Sequence, residues 1–286
     1  MRSTLRTVET VFRRELVTVA RTPSYAALWV GVLLVFGGVA VVGGGGATGV
    51  IPAVVDLLLP AEVLVPLVAV VLGYRALLTD AASGELAVIR TYPVGTLAYA
   101  VGVFLARLLA LVVLVAAPLA IVGAYVWLTA SPDTGIYATH RGVDSPVLFV
   151  RFVALVVAFG TVFLCVAMAI SSVASDRRGA LALGGVVLLA GVLGGDLAVL
   201  RSLADGSPEV LAGAVASTPN GAFRGLVLEH VVGVAFAADG GFVDTGRAMR
   251  TLLGWSAGGA AVAVGSLAYG RRVDAAVERL RRRFRS

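Results

Sequence analysis

The sequence predicts an all-α integral membrane protein with six transmembrane helices. An N-terminal interfacial helix, a short cytoplasmic helix and an outer re-entrant or interfacial helix complete it. Three observations carry this reading. Of the 286 residues 59% are hydrophobic and 14% charged, and the mean hydropathy is +0.96, whereas soluble domains average about 25% charged residues. The charges are clustered, leaving long uncharged stretches of the length a bilayer requires. Arginines, finally, are shared unequally between alternate connections.

The elements follow in chain order, the chain being a single membrane domain over 1–286. Residues 1–23 form a cytoplasmic amphipathic helix, since Leu5, Val8, Phe12, Leu16 and Val19 recur at spacings of three and four. Arg2, Arg6 and Arg13 can reach headgroups while that face lies in the interface. The bundle occupies 24–270. Its first span is Tyr25 to Val42, closed by the run Gly43 to Gly46, and has no cleavage pattern of a signal peptide. The second runs from about Leu57 to Tyr74 and contains Glu62 and Pro66. The third lies within Leu97 to Leu128, with Arg107 dividing an interfacial start from a buried part after Leu108. Leu148 to Ile170, Ala180 to Leu200 and Thr251 to Tyr269 are the fourth, fifth and sixth, and 271–286 is a basic tail. Between the last two spans, Gly225 to Ala238 is apolar but too short to cross, which suits a re-entrant or interfacial helix.

All 23 basic residues are arginine. With six spans, 17 of the 23 fall on the side that holds both termini, which places the termini in the cytoplasm of a multi-pass plasma-membrane protein. The same asymmetry explains the basic charge of +6 without nucleic acid: the tail, whose one aromatic is Phe284, suits anionic headgroups. Without Lys the chain cannot hold a Walker A lysine. One cysteine, Cys165, excludes an intrachain disulfide framework and a cysteine-built metal site.

No catalytic, cofactor or metal site is predicted. The chain has no Gly-x-Ser-x-Gly elbow and no His-Glu-x-x-His, and His140 and His230 lie on separate outer loops. Leu193 stands where an intramembrane aspartyl protease would have the first glycine before Asp196. Glu62 is the conduit candidate, because an acid within a span is costly and must be either paired or functional. In the loop 75–96, Ser83 can cap a short helix with Glu85 in its first turn and Leu86, Ile89 and Arg90 at helical spacing, and Pro93 turns the chain back. Such a helix docks on a partner protein or lies on lipid.

Three stretches carry a family resemblance. "GELAVIRTYPVGTLAYAVGVFLAR" resembles the signature of ABC-2 type transporter permease subunits, "FRRELVTVARTPSYAALWVGVLL" is similar to that family's opening, and "STPNGAFRGLVL" resembles the stretch before its last span. The last is closest to permeases of nitrous-oxide reductase maturation systems. Thr96 and Gly102-Val103 depart from the Arg and Gly-Lys that the family often has. The resemblance implies a permease subunit, not itself an enzyme, that couples ATP hydrolysis by a separate P-loop ATPase to export of a substrate. ATP and Mg would be bound by that partner, and a second permease chain would complete the pore. Gly84, Glu85, Leu86, Ile89, Arg90, Tyr92 and Pro93 would form the coupling helix, with Asp176, Arg177 and Arg178 as a second ATPase contact. The N-terminal helix would be the family's elbow helix. Pro219, Asn220, Phe223 and Arg224 would belong to the outer gate. The alternative is a non-transporting membrane scaffold or anchor for an assembly or maturation system.

Overall fold

Helix formation follows the apolar runs almost throughout. The computed structural model describes residues 2–78, 95–130, 145–174, 176–205, 216–233 and 243–283. Among the described residues it is 91% helix with no strand. The helices are α1 (Arg2–Arg21), α2 (Pro23–Val42), α3 (Gly45–Thr48), α4 (Val50–Gly73), α5 (Thr96–Thr129), α6 (Pro146–Val173), α7 (Arg177–Asp205), α8 (Pro219–Val227) and α9 (Thr245–Arg283). A single π turn, Leu228–Val232, continues α8.

Among the described residues, five helices are long and apolar enough to cross a membrane: α2, α4, α5, α6 and the Thr245–Tyr269 part of α9. The predicted fifth span, Ala180 to Leu200, lies within α7. Residues of α2 and α9 such as Leu34, Val42 and Leu253 are largely exposed, which suits a lipid environment and not water. The core is packed by α4, α5 and α6, where Leu57, Leu111, Leu119, Phe152 and Phe159 are fully buried. α9 lies along α6 so closely that a Cβ on Gly259 would come within 2.8 Å of the Cys165 backbone.

Boundaries are set by recognisable caps. Ser145 accepts from the Val147 N–H at 3.4 Å ahead of Pro146, and Asp244 accepts from the Arg247 N–H at 2.9 Å; each satisfies a donor that the first turn leaves open. Ser171 near the end of α6 accepts from the backbone N–H groups of Leu77 and Leu78, both at 3.0 Å. That hydroxyl ties the chain leaving α4 to α6.

One expectation is corrected. The second span does not begin near Leu57: α4 starts at Val50. Asp56, inside this helix, turns its carboxylate to the glycine run and accepts from the Gly45 N–H at 3.0 Å. Gly44 (φ 83°) and Gly49 (φ 144°) supply the positive φ that this reversal requires. Arg107 lies inside one continuous 34-residue helix and is buried among protein side chains. α9 runs on from its apolar part without a break to Arg283, so the described part of the basic tail is helical.

Candidate functional site

The middle of the bundle holds one charged contact. Glu62 lies between Pro60 and Pro66 on α4, about 18 Å along a helix of roughly 36 Å at 1.5 Å per residue. It is 3% exposed. Arg224 of α8 meets it through two bonds, Nε to Oε1 at 2.6 Å and Nη2 to Oε2 at 2.5 Å. A two-point guanidinium–carboxylate pair fixes orientation as well as charge. A carboxylate at this depth needs a cation, and α8 brings it.

How α8 reaches that depth is legible in its local chemistry. Thr218 caps it, its hydroxyl accepting from the Gly221 N–H at 3.1 Å, and Pro219 occupies the first turn, where no N–H is needed. Almost all of α8 is buried. Phe223 stacks on Phe159 of α6, with centroids 4.5 Å apart and planes at 13°. Phe159 is itself about 20 Å from the start of α6. Two separate contacts thus hold the middle of α8 at mid-height of α4 and α6. The π turn that follows lies nearer the helix starts. The carbonyl of His230 accepts from Arg151, in the second turn of α6, at 3.5 Å, and the His230 ring lies 3.1 Å from the hydroxyl of Thr245, the first residue of α9. The Gly225 backbone passes so near Val243 that a Cβ would come within 2.8 Å of it.

The structure therefore joins two groups that the sequence named apart. Glu62 meets Arg224, and Pro219, Asn220 and Phe223 are buried on the same short helix as that arginine. The short helix begins at Pro219, six residues before the predicted start at Gly225, and it is inserted among other helices instead of lying on a surface.

A second cluster went unnoticed in the sequence. Glu15, 5% exposed, is held by Arg107 at 2.8 Å and by Arg14 at 2.9 Å, and Arg107 also donates to the Tyr25 hydroxyl at 3.1 Å. The signal was available: Glu15 stands four residues from both Val11 and Val19, in the middle of the helix's apolar stripe. That stripe is covered by α5, while Leu5, read as part of it, is 67% exposed.

The coupling residues Gly84, Glu85, Leu86, Ile89, Arg90, Tyr92 and Pro93 lie outside the described residues. Asp176, Arg177 and Arg178 are exposed at the start of α7. Asp176 is its cap, accepting from the Gly179 N–H at 2.6 Å. Two arginines in a first turn oppose the helix dipole, so local helix stability does not account for them. Among the described residues no three His, Cys, Asp or Glu side chains stand together as a metal site would require.

No family model and no curated protein matches this chain. Its function must be argued from the two clusters and the architecture around them.

Proposed function

We propose that this chain is the membrane-spanning permease subunit of an ATP-binding cassette transporter of the ABC-2 type. It would export a substrate across the plasma membrane with energy from a separate P-loop ATPase. In this reading α7 is the fifth of six spans, both termini are cytoplasmic, α1 is the elbow helix, and a second permease chain completes the conduit. The observation that carries the reading is the inserted helix α8, closed onto two spanning helices at mid-height by Glu62–Arg224 and Phe223–Phe159.

A helix that dips to mid-depth and returns suits a gate more than an anchor. An anchor needs apolar faces and headgroup contacts, and has no use for a buried ion pair. A gate needs contacts that hold one arrangement and can be exchanged for another. Glu62 and Arg224 would latch α8 in the closed form, and opening would move the arginine away, leaving Glu62 facing the conduit. The resemblance of residues 84–107 to the permease signature supplies the energy source: the loop after Leu78 would dock on the ATPase, with Arg177 and Arg178 nearby.

The test is co-purification from native membranes in mild detergent, comparing the parent with Glu85→Arg. A P-loop ATPase that accompanies the parent and is lost from the variant is the expected result. If no ATPase accompanies the parent in several detergents, the transporter reading falls and the scaffold reading replaces it.

A further inference from the structure

At the end of the bundle where α4 finishes, a cleft of about 540 Å³ opens between α1, the start of α2, the end of α4 and α5. That volume is in the range of ligand sites. Its walls carry Arg14, Arg75 and Arg107 against one acid, Glu15, a formal excess of two positive charges. Hydroxyls of Thr18, Ser24 and Tyr25 face the same space.

Arg107 is the informative residue. Its side chain is 9% exposed, one Nη donates to Tyr25 and the other to Glu15, yet its buried Nε–H has no hydrogen-bond partner. A buried donor on a charged group is expensive to leave unmade. Reaching it from the cleft requires the Arg107 side chain to turn, which an anionic acceptor entering beside Arg14 and Arg75 would favour.

The neighbouring surface identifies the kind of acceptor. Val71 lines the cleft, and Leu67 and Val63, one and two turns back along α4 at four-residue spacing, are 43% and 48% exposed. An apolar strip thus leads from the arginine cleft along the spanning helix. A free anion would have no use for that strip, whereas a lipid would occupy both parts. We propose that the cleft binds the phosphate of an anionic phospholipid, with an acyl chain lying along Val71, Leu67 and Val63. Basic pockets between spanning helices are a physically expected place for such headgroups. This site is separate from the Glu62–Arg224 pair and holds whether or not the chain exports anything.

The test measures thermal unfolding of the purified full chain in nanodiscs of phosphatidylcholine, with and without phosphatidylglycerol, and in phosphatidylcholine with added inorganic phosphate. Phosphatidylglycerol should raise the midpoint of the parent, since a ligand of the folded state stabilises it. Most of that shift should be lost in Arg14→Gln/Arg75→Gln, whose two changes fall on exposed or part-exposed side chains and leave the Glu15–Arg107 pair in place. An equal shift in parent and variant would mean a general effect of negative membranes and overturns the site. An equal shift from inorganic phosphate overturns the lipid as its occupant. No shift with either probe overturns the proposal outright.

Discussion

Glu62 and Arg224, 162 residues apart in the chain, meet in a two-point ion pair at the middle of the bundle. Glu62 is buried, but Arg224 keeps 35% of its side chain exposed. Removing the acid strands a cation that retains some contact with its surroundings, so the cost falls toward the lower end of the range for buried pairs. Glu62→Gln should destabilise the protein by about 3 kcal/mol. The double variant Glu62→Gln/Arg224→Gln should cost less than the two single changes together, because the second removes a charge that the first has already orphaned. Melting midpoints of the four proteins in one detergent check this. Strict additivity would mean the pair contributes no coupling.

Phe223 gives a prediction of a different kind, because its loss removes volume and not charge. It is fully buried and stacked on Phe159. Phe223→Ala should destabilise by about 3–5 kcal/mol through the cavity it leaves, with about 0.5–1.5 kcal/mol of that reflecting the ring pair. Phe223→Leu should recover most of the cavity term and none of the ring term. Thermal unfolding of the two variants separates these contributions.

Glu15 is tested against a neighbour of the same type. Glu15→Gln removes the charge facing buried Arg107 and should cost about 3 kcal/mol. Glu9→Gln, on the exposed side of the same helix, should change stability by no more than about 0.5 kcal/mol. Equal effects from the two would show that α1 is not held by its buried acid.

The spanning helices were legible because an uncharged run of bilayer length has few other uses in a sequence this apolar. The second span was placed seven residues late: Asp56 stands just before the predicted start at Leu57, yet it lies inside α4 and its carboxylate accepts from the Gly45 N–H. Arg107 is likewise accommodated by a partner, Glu15. Glu62 was recognisable as costly, and Arg224 as part of a distinctive stretch, but nothing in a linear sequence states that residues 162 positions apart will touch. Glu15 had a local signal, an acid amid an apolar stripe, which was hidden because the stripe was assigned to lipid. Pairing is the property that periodicity does not carry.

Gly102 offers the last prediction, and it concerns how α1 is kept in place. A Cβ on Gly102 would lie 2.8 Å from the Val11 side chain and 3.0 Å from the Val8 carbonyl oxygen. The Val11 Cβ is fixed by its backbone and the Val8 oxygen is helix backbone, so any larger residue must push α1 away from α5. Gly102→Leu should therefore loosen α1 and weaken the Glu15–Arg107 bond, which depends on the same approach. In α2, by contrast, Gly31 has nothing within 4 Å of its Cβ position, so Gly31→Ala should be tolerated and can add up to about 1 kcal/mol of helix stability. Maleimide labelling of a cysteine introduced at Val11, in a Cys165→Ala background, reads the docking directly. Labelling should accelerate with Gly102→Leu and stay unchanged with Gly31→Ala. If Gly102→Leu left the rate unaltered, α1 would be attached by something other than its close packing on α5, and the ion pair at Glu15 would become the main candidate.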